Sequence, residues 1–435
     1  MQAQLETIGQ LERRIRVAVP RAQIEAEIDN RLKRIARNAK VAGFRPGKAP
    51  IKMVEQQYGG QVRQEVIGET GSRSISEALR EQQVRIAGMP HIEAGAEMAV
   101  GEQLEFVATF EVYPEVVVGD MGAATIERPV VQVADAEVDK TIEILRKQRA
   151  TFAPVERAAQ KGDQVDIDYT GRIDGEVFAG GEAKAYVVTL GEGRTLAEFD
   201  AGIEGMKAGE RKTCPVTFPA DYHGKEVAGK TAQFEITLNR VLESRLPEVG
   251  PDFAKALGVA DGDVAKMREE VRGNIEREVK KRVETRLKEQ VMDALIKATP
   301  ITAPKALVEM EVERLSQHAR QDLAQRGINV ANMPIPSDLF QEQAMRRVTL
   351  GLILAEVVKV NGLQAQPEQV RALVEEYAES YEDPQKFIAW YYENPSRLGE
   401  VESLVLERNV VSWVLNKAQV ADKTTGFDEL MGIAK

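Results

Sequence analysis

The chain has 435 residues but only one cysteine, three histidines and two tryptophans. A single cysteine, Cys214, excludes an internal disulfide and fits a reducing cytoplasm. It lies in the strand-like Arg211-Lys212-Thr213-Cys214-Pro215-Val216 and is read as an inert packed thiol. His91, His223 and His318 are far apart, so no Cys/His cluster has metal-ligand spacing. No phosphate-cradling P-loop and no dinucleotide glycine fingerprint occurs. Any enzymatic activity is therefore expected to need no metal, no cofactor and no activated nucleophile. Long apolar runs are missing too, so no membrane span is expected. The opening Met1-Gln2-Ala3-Gln4-Leu5-Glu6 lacks a basic segment followed by an apolar one, and no secretory signal is read there.

What is present describes a multidomain protein of mixed class. Apolar residues make up 43% and charged residues 29%, a globular composition, and the length suggests about three domains at ~150 residues each. Residues 1–113 read as α+β. Ile15, Val17 and Val19 alternate with other residues, as do Leu104, Phe106, Ala108, Phe110 and Val112, so both stretches read as strands with one buried face. Helices are expected over 22–40, 51–58 and 61–82, packed on one face of a few strands. Residues 114–150 read as an ordered connector holding a strand and a helix, with Val138, Ile142 and Leu145 on one face. Residues 151–245 are short-stranded and punctuated by glycine. They hold seven of the chain's 23 aromatics between Tyr169 and Phe234, which composition alone assigns to either a compact β core or a lined pocket.

From 246 to 435 the chain reads as nearly all helix. Val271, Ile275, Val279, Val283, Leu287, Val291 and Leu295 recur every fourth residue. Each step advances ~40°, so the apolar stripe winds by ~240° and must meet different neighbours along its length. Fifteen of the 24 residues from Lys266 to Glu289 are charged, which suits an extended arm with a wet outer surface. Shorter helices follow near 305–326, 337–360, 367–381, 384–393 and 396–417. Six of the twelve methionines fall in these 190 residues, close to proportion, so methionine content makes no case for a flexible client surface.

Net charge is −11, yet Arg31, Lys33, Arg34, Arg37, Lys40, Arg45, Lys48 and Lys52 form a run with no acidic residue between them. A cationic face on an acidic protein points to an anionic partner, most simply a phosphate backbone. Within it stands Gly43-Phe44-Arg45-Pro46-Gly47-Lys48-Ala49-Pro50. Glycine and proline make this a turn, and an aromatic at its tip beside two cations is a contact surface rather than a catalytic one.

The octapeptide resembles the Gly-Phe-Arg-x-Gly-Lys-x-Pro docking signature of the bacterial trigger factor family, and length and domain order agree along essentially the whole chain. The resemblance implies a cytoplasmic chaperone that docks at the polypeptide exit tunnel of the ribosome, on ribosomal protein and RNA, through Phe44, Arg45 and Lys48. It also implies binding of nascent and unfolded polypeptides, chiefly by the helical C-terminal region. No membrane partner is implied, and a homodimer of the free protein stays open.

A second set of residues resembles an FKBP-type prolyl isomerase: Asp168-Tyr169-Thr170-Gly171, Phe178, Leu190-Gly191, Phe199-Asp200-Ala201-Gly202-Ile203, Tyr222 and a closing strand with Phe234. Carried over by that resemblance, Tyr169, Phe178, Tyr186, Leu196, Phe199, Tyr222 and Phe234 line a proline pocket, and the Leu196 N–H holds a substrate carbonyl. The implied reaction suits such walls. Rotation about a peptide C–N bond faces ~18–20 kcal/mol of amide resonance. The twisted amide loses that resonance and is less polar, so a dry apolar pocket favours it without acid, base or metal. Two positions depart from the pattern. Ala179 stands where an acid often follows the phenylalanine. Glu198 stands where glycine often precedes the pocket aromatic, which puts a charge at the rim. Both leave the strength of isomerisation open. His223 is read as a rim residue, because the reaction moves no proton.

Two other readings compete. A free cytoplasmic prolyl isomerase with a helical dimerisation domain leaves the 43–50 tip without a purpose. An RNA-binding assembly factor leaves the aromatic cluster unexplained. The expected fold is a multidomain α+β chain, with an α+β docking domain, an FKBP-like antiparallel β domain, and an all-α C-terminal domain with extended helical arms.

Overall fold

The computed structural model describes residues 3–38, 44, 48–94, 103–222, 224, 226–328, 335–379, 381 and 383–433. They fall into two compact units, residues 1–128 with 285–423, and residues 129–284 with 424–435.

The first unit opens with an antiparallel sheet in the order β1 (Ala3–Thr7), β2 (Glu12–Pro20), β4 (Gln103–Val112), β3 (Ile86–Ala94). Ile15, Val17, Val19, Phe106, Ala108 and Phe110 are buried, as their alternation requires. They share a core with Ile24, Ile28 and Leu32 of α1 (Arg21–Ala36) and with Val54, Val62, Val66, Ile75 and Leu79 of α2 (Ile51–Glu81). The two helices expected over 51–82 are thus one. Gly59 and Gly60 lie inside α2 at a cost of ~1 kcal/mol each relative to alanine. Burial of Val54, Val62 and Val66 on one face outweighs that cost. Gly71 of the same helix is needed for space: a Cβ there would fall 2.6 Å from the Phe106 ring.

Beyond the sheet come β5 (Thr125–Val130) and α3 (Asp135–Gln148), the strand and helix expected of the connector. Val138 and Ile142 of α3 pack in the second unit with Phe253 of α5 (Pro251–Ala256) and with Met267, Val271, Ile275 and Val279 of α6 (Val264–Ala298). The winding stripe of α6 therefore finds this cluster with its first turns. Its later members, Leu287, Val291 and Leu295, are buried in the first unit. In that unit follow α7 (Lys305–Gln325), α8 (Gln341–Asn361), α9 (Pro367–Ala378), α10 (Pro384–Tyr392) and α11 (Pro395–Leu415), close to the expected spans. Val308 and Val312 of α7 pack on Ala344 of α8, while Leu373 and Val374 of α9 pack on Val401 and Val405 of α11. Residues 329–334, between α7 and α8, lie outside the described residues.

The helical reading needs one addition. Gln419–Thr424 is a strand that runs beside β5, with Gln419 N–H donating to Ala124 O at 2.9 Å and Lys423 paired with Glu127 at 2.7 Å. A final short helix, Phe427–Met431, buries Leu430 in the second unit.

Gly119 fixes the chain leaving the first sheet. Its N–H donates to the buried Thr299 Oγ1 at 3.2 Å, and a Cβ would sit 2.0 Å from Ala298 O. The obstacle is backbone, which has no rotamer to give. Gly119→Ala is expected to destabilise the first unit by about 2–3 kcal/mol. Gly68→Ala, with nothing near its Cβ inside α2, should instead stabilise by about 0.5–1 kcal/mol. Urea midpoints of the two variants should move in opposite directions. Movement in the same direction would refute the packing argument.

Candidate functional site

The aromatic-rich region forms a five-stranded antiparallel sheet, ordered β6 (Thr151–Val155), β10 (Thr231–Arg245), β7 (Gln164–Ile173), β8 (Glu176–Thr189), with β9 (Arg211–Thr217) pairing the first half of β10 on the edge that β6 pairs further along. A short helix, α4 (Ala197–Ile203), packs Phe199 and Ile203 into the same core as Ile167, Ile236 and Leu238 of the sheet.

All seven residues singled out in the sequence meet at one pocket of about 540 Å³. Tyr169 comes from β7, Phe178 and Tyr186 from β8, Leu196 and Phe199 from the start of α4, Tyr222 from the loop after β9, and Phe234 from β10. Phe199 and Phe234 form the floor, each 6% exposed, with ring centroids 5.2 Å apart at 84°. Tyr169 sits edge-on to Phe199 at 5.6 Å and to Tyr186 at 5.6 Å. Such edge-to-face pairs add ~0.5–1.5 kcal/mol each beyond area burial, so the walls are stiff as well as apolar. Sequence therefore left core and pocket as alternatives where the structure makes them one thing: the core's aromatic face is the pocket's floor.

Among the wall residues that sequence reasoning missed are the apolar Val216, Phe218 and Val227 and the charged Arg194. Phe218 is 4.9 Å from Tyr222 and 5.8 Å from Phe178, centroid to centroid. The signal was present, since Cys214, Val216 and Phe218 alternate and point the same way as a buried strand face.

Local backbone devices hold these rings. A Cβ on Gly171 would lie 2.7 Å from Phe234 and 3.0 Å from Phe178, so only glycine lets both rings lie against β7. Asp200 is buried, and its carboxylate accepts the Gly191 N–H at 2.9 Å and the Thr195 hydroxyl. It thereby ties the 190–196 loop to α4. Leu196, at the junction, gives its carbonyl to Phe199 and Asp200 N–H, while its own N–H donates to no group among the described residues. Asp168 accepts the Ala185 N–H at 2.7 Å and an Asn239 amide hydrogen at 3.0 Å. Ala185 has φ +50°, inside an irregularity of the β7–β8 pairing that sets the neighbouring Tyr186 over the pocket. Those hydrogen bonds, the Ala185 one foremost, hold the Asp168 carboxyl below its ordinary pKa. The stabilisation they supply is complete above that ordinary value and is lost as pH falls through the lowered one.

The electrostatics of the interior are quiet. Burial, then the neighbouring Tyr186 and Tyr222, push the Tyr169 phenol above its usual pKa, which keeps it neutral at physiological pH. Burial also raises the Cys214 thiol, and Gly202 packs so closely that a Cβ would meet Sγ at 2.5 Å, which agrees with an inert thiol. Glu198 does not act on the rim as its charge suggested. Its carboxylate accepts the Thr217 N–H at 2.5 Å, and it is not among the pocket walls. Ala179 does line the pocket, so no acid stands there. His223 lies outside the described residues. What the arrangement offers is a rigid aromatic slot, with the Leu196 N–H at its edge unengaged by any described residue.

The docking stretch is described only in part. Phe44 is 42% exposed and Lys48 is exposed, while Arg45 lies outside the described residues. In the basic run, Arg31 pairs with Glu69 at 2.9 Å and Arg34 with Glu27 at 3.4 Å. Lys33, Arg37, Lys48 and Lys52 are exposed and form no ion pair with any described residue.

Among the described residues no helix is long and apolar enough to cross a membrane, and no group of His, Cys, Asp and Glu could hold a metal. Comparison with known proteins matches residues 1–145 to the family model "Bacterial trigger factor protein (TF)" and 263–416 to the model of that family's C-terminus. Residues 155–239 match "FKBP-type peptidyl-prolyl cis-trans isomerase". Among curated relatives, the trigger factor of Nitrosospira multiformis is 56% identical, with 99% of this chain and 100% of that protein covered. That of Laribacter hongkongensis is 55% identical, with both chains covered completely at 100%. A solved chain, from work on promiscuous substrate recognition in folding and assembly activities of the trigger factor chaperone, aligns with a TM-score of 0.48 at 17% identity. That alignment covers 96% of this chain and 99% of the other.

Proposed function

The chain belongs to the bacterial trigger factor family, chaperones with an FKBP-type peptidyl-prolyl isomerase domain, and on that premise we propose that it works in the cytoplasm on nascent polypeptides at the ribosomal exit tunnel. Phe44, Arg45 and Lys48 dock it there on ribosomal protein and RNA. The helical region keeps the emerging polypeptide open, and the middle domain isomerises its X–Pro bonds. The work divides over 1–113 for docking, 114–150 as connector, 151–245 for isomerisation and 246–435 for chaperoning. A homodimer forms when the protein is off the ribosome.

The observation that carries the catalytic half is the convergence of Tyr169, Phe178, Tyr186, Leu196, Phe199, Tyr222 and Phe234 on one apolar slot. A prolyl ring fills it, and the Leu196 N–H takes a substrate carbonyl at its edge. Water stripped from the amide raises the planar state relative to the less polar twisted one. Among the described walls there is no carboxylate and no imidazole, and the rotation needs no proton transfer. The docking half is supported by an exposed Phe44 and by the exposed Lys33, Arg37, Lys48 and Lys52, which pair with no described carboxylate. For the helical region, exposed Met310, Leu339, Tyr381 and Trp390 supply apolar contact points that suit unfolded polypeptide.

Two assays on the same samples test the whole: co-sedimentation with vacant ribosomes, and isomerisation of a proline tetrapeptide. Alanine at 44, 45 and 48 together should remove the first and spare the second. A variant that loses both would overturn the modular reading.

A further inference from the structure

We infer that Arg194 selects client prolines flanked by an acidic residue. The inference rests on the proline-pocket reading above and concerns what that pocket prefers.

Arg194 is the only charged residue among the described pocket walls, and it is exposed. It makes no ion pair or hydrogen bond with any described residue. No described carboxylate is paired with it. Glu198 holds the Thr217 N–H, Asp200 is buried on Gly191 and Thr195, and Asp168 holds Ala185 and Asn239. Position 179, on the same pocket, is alanine and carries no charge. Among the described walls of the slot, Arg194 thus brings the only formal charge, and no described carboxylate pairs with it.

Its position decides what that guanidinium meets. Arg194 precedes Leu196 by two residues, so it stands beside the backbone donor at the pocket edge. A client residue next to the proline lies one Cα step, ~3.8 Å, further along the chain, within the span of an arginine side chain. Guanidinium matches a carboxylate with a planar fork of donors, so Glu or Asp gains there and Lys or Arg is repelled. The site is open to water, which bounds the effect to about two- to fivefold, the range of exposed ion pairs.

The test uses the full chain and short peptides with Glu, Leu or Lys immediately before proline, and a second set with those residues immediately after it. Exchange rates are read by NMR, without a coupling protease. On at least one side, the wild-type Glu/Lys ratio of catalysed rates should be about two to five. It should approach one in R194Q, fall below one in R194E, and be retained in part by R194K. In the wild type itself, 0.5 M KCl should shrink the ratio towards one, because exposed charges are screened beyond ~3–5 Å at that strength. A wild-type ratio at or below one on both sides would overturn the inference, as would a ratio that R194E leaves unmoved. Phe199→Ala, measured alongside, separates this from failure of the pocket reading. Uniform loss on all peptides upholds the pocket whatever the Arg194 ratios do, and wild-type rates on all of them would refute the pocket itself.

Discussion

Replacing Phe44, Arg45 and Lys48 together by alanine should weaken ribosome binding by at least about 10²-fold and abolish co-sedimentation at moderate salt. The estimate has two parts. An aromatic anchor at the centre of a contact costs about 2–4 kcal/mol when truncated, which alone is roughly 30- to 10³-fold. Each lost phosphate contact also removes close to one unit from the slope of log affinity against log salt. The wild type should therefore show a slope of about −2 or steeper, and the triple variant one shallower by about two. Between 50 and 200 mM salt, a slope of −2 is already about a 16-fold loss of affinity. Lys33, Arg37 and Lys52 are exposed without described ion pairs and would carry what salt dependence remains. Arg31 and Arg34, already paired with Glu69 and Glu27, should contribute little. Salt-insensitive binding by the wild type would argue against an RNA component. Unchanged sedimentation of the triple variant would strip the 43–50 turn of its role.

How much of this was legible beforehand depended on how local the signal was. The stripe from Val271 to Leu295 could be read because a helix writes its period along one stretch of chain, and its winding correctly implied a change of neighbours along α6. The break at Gly59–Gly60 was misread because the force that overrides it, burial against β2 and β4, comes from residues distant in sequence. The strand at Gln419–Thr424 was invisible for a related reason. It is mostly polar and exposed, and it is a strand only because β5, nearly 300 residues earlier, offers it a partner. At the pocket, motif residues were found because their types and order are unusual. Phe218 was missed because it stands outside the motif, in a run whose alternation looked like ordinary core. Glu198 was misjudged because a side chain's direction is set by its nearest unsatisfied donor, here the Thr217 N–H, and sequence does not show which donor that is.

The second large effect is expected at Phe199. Its ring closes the floor against Phe234 and Tyr169, and α4 holds it 6% exposed. Phe199→Ala should destabilise the isomerase fold by about 3–5 kcal/mol through the cavity it leaves. A domain of ordinary stability, ~5–15 kcal/mol, survives that when assayed cold. Catalysis should fall further than binding, because the cavity admits water to the amide and so removes the difference between the planar and twisted states. If about 3 kcal/mol of discrimination is lost, the rate falls roughly 10²-fold at 1.36 kcal/mol per decade. Ribosome co-sedimentation should be untouched, the mirror of the docking variant. Tyr169→Phe supplies the chemical control. It keeps the ring that meets Tyr186 and Phe199 and removes only a hydroxyl that burial already keeps neutral. Its rate should stay within about threefold of wild type, less than half a decade, since no proton moves in the reaction. For the same reason the wild-type rate should be flat from about pH 6 to 9, with any decline confined to pH above the ordinary tyrosine value, because the Tyr169 shift is upward. A 10²-fold loss in Tyr169→Phe, or a bell-shaped profile centred near neutrality, would mean that acid–base chemistry and not exclusion of water drives the rotation.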